Sequence, residues 1–331
     1  MEQPNQTMIS FFIIKGFSDI PELQAPIFLL VLFIYLLTLG GNMTIILLVC
    51  LDHHLHTPMY FFLVNLSFID ICATTVTLHK ILLINLTGDR VISYIGCIGQ
   101  MYVFGSLVSD ELLFLTAMSY DRYVAVCNPL RYTVIMNHRT CTLLASVCWA
   151  LGFIEIIPYV VLVTGFSCYR SNILNHFFCD LLPIIKLSCS NTSVLETLFI
   201  VEGAVLLGLG PFLLTFLSYV FIITTILKIR SKTGRRKAFY TCSSHLTVVI
   251  LLYTTLIYQY LRPISADSLD YNKLLSLFNT AAVPILNPLI YSLKNKDVKS
   301  AFKKRLQFVR VKNTVVKPAC IVGLQLLTVK K

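Results

Sequence analysis

Charge is what this sequence lacks most. Of its 331 residues, 13% are Asp, Glu, Lys or Arg, against roughly 25% in an ordinary soluble domain. With 56% hydrophobic residues and a mean hydropathy of +0.77, it has too little polar surface for a water-soluble globule. Tryptophan occurs once, beside 22 Phe and 16 Tyr. No H-E-x-x-H or comparable metal or nucleophile motif is present, which argues against an enzyme. Inverted repeats, helices broken at mid-membrane and a ring of pore charges are missing too, which argues against a transporter or channel. The opening stretch "MEQPNQTMIS" has neither the basic n-region nor the apolar core of a signal peptide. The first helix is therefore expected to act as its own insertion signal.

What the chain has instead is long apolar runs, near 25–50, 59–84, 98–121, 141–164, 197–227, 243–261 and 272–293. Each meets the roughly 20 residues that a helix needs to cross a bilayer. Lipid admits only helices or closed barrels, and these runs are far longer than the roughly ten-residue strands of a barrel. The expected fold is an all-α membrane protein, a seven-transmembrane helix bundle over 25–293, with 1–24 as an extracellular N-terminus. After the bundle, "KDVKSAFKKRLQFVR" (296–310) sets Val298, Phe302, Leu306 and Val309 in one stripe among Lys and Arg. Such a segment is expected to lie as a short amphipathic eighth helix (294–310) on an anionic inner leaflet, its lipids the partner. Residues 311–331 follow as a cytoplasmic tail, with Cys320 available for acylation.

Basic residues set the orientation. With the N-terminus outside, the inner loops and tail carry 20 Lys and Arg and the outer side carries 7. The excess belongs on the cytoplasmic face. The net charge of +11 is thus an orientation signal, and nucleic acid is not an expected partner. This topology puts the Asn5-Gln6-Thr7 sequon outside, so Asn5 is the expected glycosylation site. It also puts Cys97, Cys168, Cys179 and Cys189 on the oxidising side, where three pairings are open.

One acid–base pair stands at the end of an apolar run: Asp121-Arg122 in "MSYDRYVAVCN". About 37 Å of helix, at 1.5 Å per residue, separates Cys97 from Arg122. The pair therefore sits at the inner membrane edge, where an ionisable residue suggests function. "DRY" there, Asn287-Pro288-Leu289-Ile290-Tyr291, Gly41-Asn42 and Asp70 together resemble the rhodopsin-like G-protein-coupled receptors. Further blocks narrow the likeness: "LHTPMYFFLVNLSFID" (55–70), "SYDRYVAVCNPLRY" (119–132), "HFFCD" (176–180), "SY" (218–219), "KAFYTCSSHL" (237–246) and "PILNPLIYSLKNKDV" (284–298). In order and spacing these resemble the olfactory receptors from residue 41 to 298, and Thr57 resembles their class II, tetrapod-type branch. Ser119, Tyr240 and Thr254 depart from that family's usual residues.

The resemblance implies roles. Asp121 would hold Arg122 at rest through a charge-assisted hydrogen bond and release it toward a G protein, with Tyr219, His245, Asn287, Pro288 and Tyr291 rearranging around it. Pro284 and Pro288 kink the seventh helix, as a fixed bend or as a hinge. Disulfides Cys97–Cys179 and Cys168–Cys189 are implied. Read alone, His176, Cys179 and Asp180 suggest metal ligands, but a disulfide-bonded Cys179 cannot ligate, and no metal is expected. Asp70 and Glu111 are mid-helix acids at similar depth that cannot both stay charged unaided. Two readings stand: a sodium-like cation site with Asn42 and Asn287, or a protonated polar cluster.

A ligand pocket is expected in the outer half of the bundle. Spacing from Cys97 points Met101, Phe104, Gly105, Val108 and Ser109 inward; the later motifs add Gly203, Leu207, Tyr253, Leu256, Ile257, Tyr260 and Thr280. Such a lining suits a small, mostly apolar volatile compound. Phe104 stands where aminergic receptors carry Asp, and Ala281 where opsins carry the retinal lysine, so neither amine nor retinal is indicated. The implied function is an odorant receptor acting through a stimulatory, olfactory-type G protein to raise cAMP in the plasma membrane. A receptor of the same build that reads a metabolite outside the nose is the alternative.

Overall fold

Among the described residues, seven helical spans are long and apolar enough to cross a bilayer: Pro21–Leu51, Pro58–Thr87, Tyr94–Cys127, His138–Thr164, Gly210–Lys228, Lys232–Tyr258 and Lys273–Ile290. The computed structural model describes residues 9–18, 20–198, 201, 209–260, 269–294, 297–305 and 307. The chain runs β1 (Phe11–Ile14), α1 (Pro21–Leu51), α2 (Pro58–Thr87), β2 (Val91–Ser93), α3 (Tyr94–Cys127), α4 (Tyr132–Ile135) and α5 (His138–Glu155). It continues through α6 (Ile157–Thr164), β3 (Ile173–Leu174), α7 (Leu181–Leu187), α8 (Ser193–Leu198), α9 (Gly210–Lys228) and α10 (Lys232–Tyr260). Last come α11 (Leu269–Leu277), α12 (Val283–Lys294) and a helix over 297–305, here α13.

Local chemistry sets the helix ends. Pro58 opens α2, where its missing N–H costs nothing, and Gly88 closes it with φ at 75°. Ser93 caps α3 by accepting the Gly96 N–H at 3.1 Å. Asn137 caps α5 by accepting the Thr140 N–H at 2.9 Å. The fourth span is two helices, because Pro158 cannot donate and the chain breaks at Ile156. In the seventh span a π-turn (Phe278–Ala282) joins α11 to α12.

Burial then sorts the helices. On α1 Leu29, Leu30, Phe33 and Leu36 are exposed. In water that would be an aggregation surface; here it is the lipid face. On α3 the buried residues run from Cys97 to Val124 and point in every direction. That makes α3 the hub, packed against α2, α5 and α9. Gly41 is required where α1 meets α12, since a Cβ there would lie 3.0 Å from Pro288 Cγ.

Two features were not expected. A three-stranded sheet, in the order β2-β1-β3, caps one end of the otherwise helical bundle. There β1 pairs antiparallel with β2 and parallel with β3, and Phe12 is wholly buried beneath it. Strands of two to four residues are too short to show alternation in sequence. The second is the register of α13. Val298 and Ala301 are its buried residues, whereas Phe302 is exposed. The inward face is therefore set by an i, i+3 pair, with Arg305 hydrogen-bonded to the Leu51 carbonyl at the end of α1. Leu306 and Val309 lie outside the described residues.

Candidate functional site

The functional residues fall at three levels: a polar cluster in the middle of the bundle, an Asp–Arg pair at one end and a disulfide-tied lid at the other. In the middle, prolines create the need. Pro288 has no N–H for the Pro284 carbonyl and Pro284 none for the Thr280 carbonyl, so both oxygens are orphaned inside a lipid-embedded helix. Asn42 Nδ2 donates to the Pro284 carbonyl at 3.0 Å, and the Thr74 hydroxyl donates to the Thr280 carbonyl at 3.4 Å. Helices α1 and α2 thus each supply one donor to the kinked α12 region. Next to them Asn287 Nδ2 donates to both oxygens of Asp70, at 3.2 and 3.1 Å, and to Glu111 Oε1 at 3.4 Å. All three are buried. The structure brings Asp70, Glu111 and Asn287 together, whereas the Asn42 amide is turned to the Pro284 carbonyl. No group of three metal-ligating side chains occurs among the described residues.

At the end of α3, Asp121 is wholly buried and doubly engaged. Its Oδ2 accepts from Arg122 Nη2 at 2.5 Å and Nε at 3.0 Å, and its Oδ1 accepts from the Tyr132 hydroxyl at 2.7 Å. Burial, then the neighbouring Asp121 charge, pushes the Tyr132 hydroxyl's pKa upward, so it stays a donor. Sequence reasoning missed Tyr132; it lies beyond the helix, where periodicity says nothing. Between α9 and α10, Tyr219 Oη and His245 Nδ1 are 2.6 Å apart and the rings stack at 11°. Tyr123, beside Arg122, packs on this pair's cluster. The Tyr291 side chain lies outside the described residues.

At the opposite end the cysteines pair as Cys97–Cys179 and Cys168–Cys189. Gln100 reinforces the first bridge, accepting the Cys179 N–H at 2.8 Å and donating to the Val76 carbonyl at 2.6 Å. Below it, Phe17 stacks on Phe177, and Phe178 meets Phe104 edge-on with centroids 4.7 Å apart. His176 is buried in this lid, its Nδ1 at 3.1 Å from the Phe178 carbonyl and its Nε2 at 3.3 Å from the Ser276 hydroxyl on α11.

The residues expected to line one pocket are distributed. Met101 packs beneath the Cys97–Cys179 bridge, and Phe104 and Val108 pack with the lid phenylalanines. Gly105 faces Ile156, with a Cβ position 3.4 Å from its side chain, and the Ser109 hydroxyl donates to Glu155 Oε2 at 2.8 Å. Those two are turned toward the fourth span, because α3 is surrounded and each of its faces meets a different helix. Tyr253 and Leu256 belong to the main core, with Tyr253 edge-on to Phe212 at 5.3 Å. Ile257 is exposed, and the Thr280 hydroxyl donates to the Ser276 carbonyl at 2.8 Å. Asn5, Gly203 and Leu207 lie outside the described residues, as does the side chain of Tyr260. A separate open groove of about 450 Å³ is lined by Leu162, Ser193, Val194, Thr197, Leu198 and Val201.

Two lid residues titrate in opposite senses. Burial holds the His176 pKa down at about 3, from 6.5. Burial also raises Asp180 to about 6, from 3.8, although the Leu181 N–H opposes it. Depressed His176 contributes stability above pH 6.5 that is lost on acidification toward 3. Raised Asp180 contributes stability below 3.8 that is lost as pH rises toward 6. Between about pH 4 and 6 the two slopes, each about 1.4 kcal/mol per unit, cancel. The contributions of these two residues to the pH dependence of thermal denaturation of the purified protein are expected to cancel across that window. Asp180→Asn should make it less stable toward pH 4, and His176→Gln more stable; parallel profiles would contradict the assignment.

Seven apolar helices around a buried polar centre, with a disulfide-tied lid at one end and a buried Asp–Arg pair at the other, are the build of a heptahelical membrane receptor. A family model described as olfactory receptor matches residues 31–308. Olfactory receptor 5G3 of Homo sapiens is 44% identical over 308 residues, 93% of this chain and 98% of that protein. Olfactory receptor 5G9 of Mus musculus is 46% identical over 312 residues, 94% of this chain and 99% of its own. Olfactory receptor 6C74 of Homo sapiens is 45% identical over 299 residues, 90% of this chain and 96% of its own. The chain belongs to the olfactory receptor family. It is a multi-pass plasma-membrane protein, and its family is one of receptors and not of enzymes.

Proposed function

We propose that this protein is an odorant receptor whose ligand, a small and mostly apolar volatile compound, binds under the disulfide-tied lid and shifts the bundle toward a G-protein-engaging state. The lid end faces outside with the N-terminus, where Asn5 would be glycosylated, and the Asp121–Arg122 end faces the cytoplasm with the C-terminus. The excess of Lys and Arg on that side supports the orientation.

The observation that carries the reading is the Arg122–Asp121–Tyr132 cluster. A buried guanidinium neutralised by one carboxylate is a resting latch, and its release would present a cation to a partner. A ligand can favour release only by binding the released state more tightly. The G protein is the stimulatory, olfactory type. Asp70, Glu111 and Asn287 hold either a sodium ion or a proton that stabilises the resting state, since two facing carboxyls need one or the other.

The test is cAMP in cells expressing the receptor at a measured surface level, challenged with a panel of volatile compounds. A compound-dependent rise, absent in untransfected cells, is the expected result. A response in reporters of other G proteins with cAMP unmoved would sink the stimulatory assignment. Surface-expressed receptor silent in every reporter would leave the odorant reading without support.

A further inference from the structure

Five asparagines head an Asn-x-Ser/Thr triplet: Asn5, Asn42, Asn65, Asn85 and Asn191. Such a triplet can take an N-linked glycan where it lies in a surface loop on the outer side. The structure separates the four beyond Asn5. Asn42 is buried and its Nδ2 donates to the Thr38 and Pro284 carbonyls. Asn65 donates to the Phe61 carbonyl at 2.9 Å and accepts from the Trp149 indole N–H at 3.0 Å, between α2 and α5. Asn85 lies within α2, where its Nδ2 donates to the Ile81 carbonyl at 2.9 Å and the Thr87 hydroxyl donates to the Leu83 carbonyl at 2.8 Å. In each of these three, the helix has already engaged the amide nitrogen that would have to react.

Asn191 differs on each count. It is exposed, lies outside any helix, and stands two residues after Cys189 and two before the start of α8. Its Oδ1 accepts the Ser193 N–H at 3.0 Å and the Ser193 hydroxyl at 2.7 Å. A backbone N–H can only donate, so the atom it meets is the amide oxygen. Both bonds therefore fall on the oxygen, and among the described residues Nδ2 makes none. The turn is also held from both sides. The Cys168–Cys189 bridge ties the residues before it to the lid, and the buried Leu195 anchors α8 after it.

We propose that Asn191 is an N-glycosylation acceptor on the lid, so that the receptor carries a second oligosaccharide there. The donor class is an oligosaccharide linked to a lipid diphosphate. Asn191 Nδ2 forms a C–N bond to the anomeric carbon and loses one proton. The bond from that carbon to the phosphate oxygen breaks, and the lipid diphosphate leaves with its electron pair. The proposal rests on the orientation argued above, with the lid end outside. A bulky, solvated sugar at this turn keeps the Cys168–Cys189 end of the lid in water. Ser193 also lines the open groove beside Leu162, so the sugar stands at the groove's rim.

The test is immunoblotting of the full-length receptor, with an N-terminal epitope tag, from mammalian cells before and after treatment with a peptide N-glycosidase. Wild type is expected to migrate with two glycans, Asn5→Gln and Asn191→Gln with one each, and the double variant with none. Ser193→Ala keeps Asn191 but removes the acceptor hydroxyl and should match Asn191→Gln, whereas Ser193→Thr should match wild type. Mobility reads the modification whether or not a variant reaches the surface. An Asn5→Gln receptor unmoved by the glycosidase, beside a wild type that it does move, overturns the site and leaves the orientation intact. A double variant that still moves places the sugar at another triplet and overturns the assignment. If no variant moves, protease treatment of sealed microsomes separates the two failures. A protected tag keeps the orientation and overturns the site; a digested tag overturns both.

Discussion

Arg122→Ala is expected to abolish ligand-dependent cAMP at unchanged surface level, whereas Asp121→Ala raises the signal without ligand. The asymmetry follows from the geometry. Asp121 Oδ2 accepts two hydrogen bonds from the guanidinium, and Oδ1 accepts one from Tyr132. Removing the carboxylate leaves a cation with only 12% of its side chain exposed and no counter-charge. Breaking a buried pair in this way costs roughly 3–5 kcal/mol. That cost falls on the resting state and not on a state in which Arg122 has left Asp121. A shift of about 3 kcal/mol changes the ratio of the two states by more than 100-fold, enough to make a minor state prominent. Tyr132→Phe removes a single bond to a carboxylate, worth about 1.5–3 kcal/mol. It should raise basal cAMP as well, but by less than Asp121→Ala. Basal cAMP in matched-expression cells therefore ranks Asp121→Ala above Tyr132→Phe above wild type, with Arg122→Ala at background. A silent Asp121→Ala at normal surface level would remove the latch from the mechanism.

Sequence made the bundle legible and its cross-connections not. Seven apolar runs predicted seven spans because lipid imposes length and composition on each one separately. The third span was read too short. Asp121-Arg122 looked like an end, but a buried ion pair lets α3 continue to Cys127, where Asn128-Pro129 stops it. The sixth begins earlier than its apolar run, at Lys232, because a helix projecting beyond lipid can be charged. Prolines 284 and 288 announced orphaned carbonyls, yet their rescue by Thr74 and Asn42 joins residues 206 and 242 positions apart. No local pattern encodes that. Ligand residues were the hardest to read. Periodicity from Cys97 names a face of α3, but α3 is buried all round, so Gly105 and Ser109 meet the fourth span while Met101 and Phe104 meet the lid.

Loss of the Cys97–Cys179 bridge should have the largest effect on folding. It closes a loop of 82 residues, and the 21-residue loop of Cys168–Cys189 lies within the same lid segment. Chain-entropy arguments give about 4.5 kcal/mol for the first and about 3 kcal/mol for the second. Position adds to the difference. Cys97 and Cys179 are wholly buried in a cluster with Phe12, Ile14, Tyr159 and Leu174, so their bridge fixes both the lid and the sheet that covers it. Gln100 depends on it too, since its carbonyl reaches the Cys179 N–H only if the loop is pinned there. A double Cys97→Ser/Cys179→Ser variant is preferred to either single change, because a lone buried thiol would be free to mispair with Cys168 or Cys189. Surface receptor relative to total receptor, by flow cytometry, should fall by at least about tenfold in that variant. In Cys168→Ser/Cys189→Ser the fall should be smaller, because the lid stays anchored to α3. Equal losses would mean that the two bridges act as one unit, and an unchanged ratio in the first variant would show that the lid is held by packing alone.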